Sequence, residues 1–387
     1  MKVLLFFLLF VFFAPNSWGQ NNTNNNSTQE ESLKEKENAL KKNSNKVEEV
    51  IVPSSLESPT STSTSGKFKA QPAQKDATSA QSSFLLKKSK FIARQSEFNH
   101  QRTQRTFSNG QQTELENLLR EVAMDPSATY ESLFFYYTNG QYDLSRSTAL
   151  LKAYEMNPND NQIKKEMVIY YFLTNKTDEF RTGLINLFNA NVFPQAVKEY
   201  GTDLVNSVGQ NGILITHGTE DSFSALYAQR VLRKREDIRI ICLDWLNSPQ
   251  FRSQLEAQQI RLPKSNFIDV NYLKEFCALN VEKGVSLSLT IPREYFLPIL
   301  NQMYITGLVF DYKQVPTDNS LANESLWRTI LNKKLLETRN HDLVLNYIPM
   351  MMQISRFYEN QYETTSKLEM DAQIDQILQS RGKSLRK

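Results

Sequence analysis

The sequence predicts an α/β protein with an α-helical repeat part. We expect helical hairpins first, then a small, mainly parallel three-layer α/β domain, and finally C-terminal helices. Three observations predict this order. Apolar residues recur at helical spacing in the first part of the folded region, and helix-ending motifs repeat there. Short β-branched runs then alternate with helical patterns, which is typical of parallel strands joined by crossover helices.

Residues 1–19 have the pattern of a secretory signal peptide. A single Lys precedes an apolar run over residues 3–14, and Ser17 and Gly19 form a small-x-small cleavage site. A membrane anchor is the alternative, but a run of about 12 residues is shorter than the ~20 that span a bilayer. We therefore expect an exported, soluble chain that begins at Gln20, has no integral membrane segment, and is periplasmic or associated with the outer envelope.

Two segments separate the signal peptide from the repeats. Residues 20–82 are rich in Ser, Thr, Asn, Gln and Lys and carry too little apolar surface to offset ordering entropy, so we expect a disordered tether. Its Asn-rich start resembles that of Bacteroidota envelope proteins. Residues 83–112 are basic and predict a partly ordered linker. Four phenylalanines of this linker could pin it to the folded body: Phe84, Phe91, Phe98 and Phe107.

The composition argues against several functions. The formal net charge of +3 is small and evenly spread, so we expect no nucleic-acid partner. Three unclustered histidines argue against a His-based metal site, and no cofactor motif is present, so we expect neither a metal nor a cofactor. Cys242 and Cys277 both lie in apolar surroundings, where a disulfide and two free thiols are equally compatible with the sequence.

Residues 113–205 carry the helical repeats. Met124-Asp125-Pro126 returns as Met156-Asn157-Pro158, and residues 149–160, ALLKAYEMNPND, resemble the second helix and exit turn of a tetratricopeptide repeat. Such repeats bind proteins along a concave face, whereas a generic pair of helical hairpins is the alternative. Aromatic residues at helical spacing are more often core, yet four of them are candidates for partner contacts: Phe134, Tyr137, Tyr154 and Tyr170.

Residues 206–318 change to a strand-helix period. We expect four strands there, at 212–215, 238–243, 285–291 and 308–312, with a short helix over 295–303. Residues 319–387 predict C-terminal helices whose last part frays.

The turn after the first strand is the main candidate site. It consists of Thr216, His217, Gly218, Thr219, Glu220, Asp221 and Ser222. A helix that begins here offers free N–H groups to an anion, but the glycines of a phosphate loop are missing. A hydrolase could use His217, Asp221 and Ser222, but no nucleophile elbow is present. A metal site would need its ligands from one turn, which is unusual. Helix capping by Thr219 or Asp221 is the simplest interpretation.

A long stretch of this region resembles a known family. Residues 212–251, GILITHGTEDSFSALYAQRVLRKREDIRIICLDWLNSPQF, resemble the soluble part of multi-pass bacterial membrane proteins. Those proteins are similar to lipid-sugar-dependent glycosyltransferases and carry extracytoplasmic α/β and tetratricopeptide-like segments. The matching positions of the first block are Thr216, Gly218, Asp221, Leu226, Tyr227, Arg239, Leu246 and Asn247. A second block, residues 286–316, matches at Gly307, Leu308, Tyr312, Val315 and Pro316.

Two differences between this sequence and that family determine the function that we expect. The family's Gly-Asp-Asn-Asp turn reads Gly218-Thr219-Glu220-Asp221, and no counterpart of the membrane-embedded catalytic half is found. We therefore expect a non-catalytic scaffold or accessory subunit that binds protein partners of a bacterial envelope complex, some of them membrane-embedded. One alternative is a glycan- or sugar-phosphate-binding module beside a membrane glycosyltransferase. Another is a hydrolase that uses the 216–222 turn.

Overall fold

The computed structural model describes residues 73–99, 105–124, 129–331 and 333–383. The predicted signal peptide and the predicted tether up to residue 72 lie outside the described residues. None of the helices within these ranges is long and apolar enough to cross a membrane.

The first described part is helical. Its helices are α1 (Ala73–Asn99), α2 (Asn109–Ala123), α3 (Tyr130–Thr138), α4 (Ser147–Met156), α5 (Asn161–Leu173), α6 (Thr177–Asn189) and α7 (Gln195–Asn206). Helix α3 packs on α4, and α5 packs on α6, so successive helices form hairpins. The exit turn after α4 leads directly into Asp160, whose carboxylate accepts the N–H groups of Gln162 and Ile163 at 2.7 and 3.1 Å. This cap begins the next hairpin.

Helix α1 is fixed by its phenylalanines. Phe84, Phe91 and Phe98 are buried in one apolar cluster that also contains Leu115 of α2 and Phe135 of α3. Their seven-residue spacing keeps all three rings on one face of the helix. Phe107 packs against the same cluster, so the four phenylalanines do contact the folded body.

The second part is built on five strands: β1 (Ile213–Thr216), β2 (Arg239–Cys242), β3 (Val285–Ser288), β4 (Met303–Thr306) and β5 (Val309–Tyr312). They form one sheet in the order β2-β1-β3-β5-β4. Strand β1 runs parallel to β2 and β3, whereas β5 runs antiparallel to β3 and β4. The α/β class with a helical part is confirmed, and the sheet is mixed because a hairpin extends its β3 side.

Helices cover this sheet and follow it in the chain. They are α8 (Gly218–Arg230), α9 (Pro249–Ala257), α10 (Val270–Leu279), α11 (Arg293–Phe296), α12 (Ser320–Ser325), α13 (Lys334–Thr338), α14 (Ile348–Asn360) and α15 (Thr364–Ser380). The crossover through α8 moves from β1 to β2, and the next crossover returns past β1 to β3. Because such crossovers are right-handed, α8 and α10 belong to opposite faces of the sheet. The order in which the strands are added therefore reverses between β1 and β3.

The helical part packs directly on the α/β part. Phe172 of α5 lies with its ring centroid 5.0 Å from that of Trp245, just after β2, and 5.6 Å from that of Phe251 on α9. Helix α7 lies along α8, where Gly201 faces the backbone of Ser224. Cys242 and Cys277 are both buried and both free, so the chain has no disulfide between them.

The C-terminal helices close the structure. Helix α15 packs along α14 and buries Met370, Ile374 and Leu378. Ser355 of α14 donates to Asp371 of α15 at 2.5 Å, and Lys367 pairs with the same carboxylate at 2.6 Å. The helix continues to Ser380, whereas the sequence predicts that the last part of the C-terminal helices frays.

Candidate functional site

Asp221 ties helix α8 to the end of strand β3. Its side chain is buried, and its two oxygens accept the Ser288 hydroxyl at 3.1 Å and the Thr290 hydroxyl at 2.7 Å. The backbone N–H of His217 donates to the same carboxylate at 3.0 Å. Burial raises the pKa of Asp221 to about 6, although these three donors favour its charged form. Asp221 thus links the carboxyl ends of β1 and β3 through hydrogen bonds.

Ser222 is also engaged inside the protein. Its buried hydroxyl donates to the Gly218 carbonyl at 2.7 Å and lies 2.8 Å from the hydroxyl of Thr216. A serine nucleophile must instead be exposed and hydrogen-bonded to a general base. The bonds of Asp221 and Ser222 therefore give no support to a hydrolase built on this turn.

The N-terminus of α8 is capped from outside the turn. His217 occupies the N-cap position, but its side chain makes no capping hydrogen bond. The N–H of Gly218 donates to Asp244, which follows β2, at 3.2 Å. Arg105 pairs with the other oxygen of Asp244 at 3.3 Å. The carboxylate that serves the helix dipole is therefore Asp244, whereas Asp221 accepts the His217 N–H and binds β3.

Helix α5 brings two charged residues to the same edge of the sheet. Lys165 is partly desolvated, which lowers its pKa, and the nearby carboxylate of Glu220 opposes that shift. Glu166 has an inaccessible oxygen, Oε2, with no hydrogen-bond partner among the described residues. Burial raises the pKa of Glu166 to about 7, Lys165 lowers it, and Asp244 raises it further. Neither Glu166 nor Lys165 stands out in the sequence.

The four aromatic partner-binding candidates do not share one environment. The prediction for Tyr137 is wrong, because this residue is fully buried in an apolar cluster with Leu150, Ile163 and Met167. The helical period turns its ring inward, so it cannot reach a partner. Phe134, Tyr154 and Tyr170 are only partly buried against that cluster.

A polar cleft opens where the helical part meets α9. Its volume is about 450 Å³, within the range of small-molecule sites. The lining includes Gln141 on the α3–α4 connection, Asn247 after β2, and Arg252 and Ser253 on α9. Asn247 is held by bonds from its amide to the carbonyls of Arg105 and Asp244, at 2.8 and 3.1 Å. The cleft therefore presents polar groups in fixed positions.

Three residues that contact the turn or the start of α8 have a recognisable position in the sequence. Asp244 lies two residues after the end of β2, and Ser288 and Thr290 alternate at the end of β3. Each is therefore a polar residue near the carboxyl end of a parallel strand. Ligands of open α/β sheets bind at such ends where the strand order reverses. Glu166 carries no comparable signal, because its position depends on how α5 packs. Across the described ranges, no group of three or more His, Cys, Asp or Glu side chains could hold a metal ion.

The geometry defines a class of protein: an open, mixed α/β domain with helical hairpins packed against the segment that follows β2. Within it, the model of TMEM260-associated domain 2 matches residues 197–287, from α7 to β3. TMEM260 is a membrane protein, which agrees in outline with the resemblance to membrane-protein segments. No curated protein and no solved structure matches the chain.

The stability of the protein is expected to fall as the pH rises from about 5 to 8, because of Glu166. Its pKa moves from 4.5 to about 7 on folding, so between these values the folded state binds more protons than the unfolded state. The loss of stability between pH 5 and 8 amounts to about 2 to 3 kcal/mol, since one pKa unit corresponds to ~1.4 kcal/mol and part of the shift lies below pH 5. Lys165, Tyr137, Tyr142 and Asp244 are the titratable groups that interact with it.

Urea unfolding at several pH values measures this effect. Glu166→Gln should flatten the profile between pH 5 and 8 and stabilise the protein at the alkaline end. Glu155→Gln, at an exposed position on α4, is the matched control and should give the same pH profile as the wild type. Asp221 also has a raised pKa, so it lowers stability with rising pH in both variants. The difference between the two pH profiles therefore reports on Glu166 alone. Equal profiles for Glu166→Gln and the wild type would contradict the assignment.

Proposed function

We propose that this chain is a non-catalytic accessory protein that binds a protein partner of an envelope complex through its helical part. The observation that carries the proposal is a group of three partly buried tyrosines, the tyrosine patch: Tyr154 on α4, and Tyr170 and Tyr171 on α5. The ring centroids of Tyr170 and Tyr171 lie 5.9 Å apart. Burial raises the pKa of Tyr171, and Tyr154, Glu179 and Tyr170 raise it further.

The chemistry of the patch suits a protein interface. Lys176 Nζ lies 5.3 Å from the ring centroid of Tyr170 and 5.9 Å from that of Tyr171. Tyrosines combine a rigid apolar ring with a polar tip and are enriched among the residues that dominate binding energy. The segment from α7 to β3 that matches the TMEM260-associated domain supports a setting beside a membrane protein. Asp221 and Ser222 are hydrogen-bonded inside the protein, so neither of these two side chains is open to a partner.

Photo-crosslinking tests this proposal. A benzophenone amino acid at Tyr154 or Tyr171 should crosslink one defined partner in native envelope extract, and Tyr170→Ala should weaken capture of that partner at least about tenfold, as expected for an interface hot spot. Tyr136→Ala is the matched control, because Tyr136 is an exposed helical tyrosine of the same helical part that stacks on Arg146 instead. Equal loss in both variants, or no defined crosslink, would refute partner binding at the patch.

A second candidate, a glycan- or sugar-phosphate-binding module, is favoured by the polar cleft. Fixed amide and hydroxyl groups in a volume of about 450 Å³ suit a hydroxyl-rich ligand. Ser253→Trp should fill the cleft and abolish saturation-transfer signals from envelope oligosaccharides. Gln250→Trp, on the same helix but outside the lining, should leave them intact. Absence of such signals from the wild type would exclude this function.

A further inference from the structure

A cationic segment, which we call the basic loop, joins helix α8 to strand β2. It comprises residues 230–239, RVLRKREDIR, and its formal net charge of +3 equals that of the whole chain. The charges of all other residues therefore sum to zero, so the excess is concentrated here rather than spread evenly. The cations of the basic loop are Arg230, Arg233, Lys234, Arg235 and Arg239.

Hydrogen bonds hold the two ends of the basic loop together. The buried amide of Gln229 donates to the carbonyls of Arg235 and Ile238, both at 2.9 Å. Arg230 and Arg239 directly follow Gln229 and Ile238 in the chain. The first and the last cation of the loop are therefore neighbours in space, although nine positions separate them in sequence.

Arg235 anchors the loop to the sheet. Its guanidinium donates to the carbonyls of Val208 at 2.6 Å and Gly209 at 2.9 Å, and it pairs with both oxygens of Asp237 at 2.9 Å. Asp237 in turn accepts the N–H of Asn211, just before β1, at 2.8 Å. The basic loop therefore lies at the amino ends of β1 and β2, opposite to the candidate turn, and Arg235 is occupied by structural bonds.

The other four cations, Arg230, Arg233, Lys234 and Arg239, are exposed. Arg233 pairs with the exposed Glu236 at 2.6 Å, whereas the other three form no salt bridge with any described residue. Partial burial lowers the pKa of Arg230, and the like charge of Arg239 lowers it further. This surface thus carries neighbouring positive charges that lack a full counter-charge within the described ranges.

One apolar side chain lies among these cations. Leu232 is 40% exposed, and its backbone N–H donates to the carbonyl of Tyr227 on α8 at 3.1 Å. The N–H of Lys234 donates to the carbonyl of Ala228 at 3.0 Å, so the end of α8 holds both residues at the surface. An apolar side chain flanked by cations is typical of segments that lie on anionic membranes, where the apolar group enters the acyl boundary and the cations meet the headgroups.

We propose that the basic loop binds the surface of a membrane that contains anionic phospholipids. Arg230, Lys234 and Arg239 contact the lipid phosphates, and Leu232 lies at the boundary between headgroups and acyl chains. An acidic protein fits less well, because lysine is depleted in protein interfaces and the loop offers no aromatic anchor. The tyrosine patch lies on other helices, α4 and α5, so failure of membrane binding leaves the proposed function untouched.

Vesicle flotation of the full chain tests this inference. The chain should bind vesicles of phosphatidylglycerol and phosphatidylcholine more strongly than vesicles of phosphatidylcholine alone. The apolar residues 3–14 can enter both kinds of vesicle, so the difference between the two is the readout. This difference should vanish when sodium chloride rises from about 0.1 to 0.5 M, because the Debye length falls below the ~10 Å of the lower concentration.

A double variant removes charge without touching the fold. Arg230→Gln combined with Lys234→Gln should weaken binding to the anionic vesicles at least about tenfold, because each cation near such a surface adds to the attraction. The matched control combines Arg120→Gln with Lys152→Gln, which removes the same charge from exposed positions on α2 and α4 and should bind as the wild type does. Circular dichroism confirms that both variants are folded.

A second pair of variants tests the apolar contact. Leu232→Ser should weaken binding to the anionic vesicles, whereas Leu368→Ser, at an exposed leucine of α15, should not. Equal binding of the wild type to both kinds of vesicle, or an equal loss in the two double variants, would overturn the inference. Binding to poly-glutamate without a preference for anionic vesicles would also overturn it, and would assign the basic loop to an acidic protein.

Discussion

Gly201→Ala is expected to lower the free energy of unfolding by about 3 kcal/mol, the upper part of the range for overpacking. A Cβ at this position of α7 would overlap the backbone carbonyl group of Ser224 on α8. Backbone cannot move away as a side chain can, so the two helices must separate. Alanine would otherwise favour the helix by ~1 kcal/mol, which makes any observed loss a lower bound for the steric cost.

Gly183→Ala is the matched control for this prediction. It is also a glycine inside a helix, but its new Cβ would meet the end of the Val168 side chain, with Cγ2 at 2.6 Å. A side chain can rotate, so we expect a loss well below that of Gly201→Ala. Gly209→Ala, where nothing lies within 4 Å, should change stability least. Urea unfolding ranks the three variants, and an equal loss at Gly201 and Gly183 would contradict the close helix contact.

Asp221→Ala is expected to destabilise the protein by about 3 to 5 kcal/mol, because it removes one acceptor from three donors. Ser288, Thr290 and the N–H of His217 would lose their partner in a buried place. The carboxylate itself pays a desolvation cost, which raises its pKa to about 6 and reduces its net contribution at neutral pH. The loss of stability on truncation remains large because the three donors stay buried without an acceptor.

A double-mutant cycle separates these effects. Thr290→Val removes one donor, and its combination with Asp221→Ala should cost less than the sum of the single changes, because the orphaned hydroxyl is gone. Asp178→Ala, an exposed acidic residue in the first turn of α6, is the control and should cost only a few tenths of a kcal/mol. Additive losses of Asp221→Ala and Thr290→Val would show that the bond between these two residues has no coupling energy.

Much of the fold follows from periodicity. The predicted strands at 212–215, 238–243 and 308–312 each overlap an observed strand within a residue or two, because β-branched runs between helical patterns leave few alternatives. Strand β4 was not predicted. Its residues, Met303–Thr306, begin where the short helix predicted over 295–303 ends, and they form a strand by pairing with β5 across the turn at Gly307.

Only part of the candidate site could be predicted from the sequence. The 216–222 turn does lie at the carboxyl end of β1, as a strand-turn-helix pattern predicts, and Asp221 and Gly218 make specific contacts there. Which groups receive those contacts was not predictable. Tyr137 shows the same limit, because an aromatic residue on an amphipathic helix can face a partner or the core, and only packing decides.

The sequence by itself determined the order of helices and strands, the place of the polar turn, and the resemblance of residues 212–251 to membrane-protein segments. Local propensity and hydrophobic period are properties of adjacent residues, so they can be read along the chain. Only the tertiary structure decided that Asp221 binds Ser288 and Thr290, and that Oε2 of Glu166 on α5 is shielded from solvent. Those pairs are distant in sequence, and their energies arise from burial and hydrogen bonding that exist only once the chain has folded.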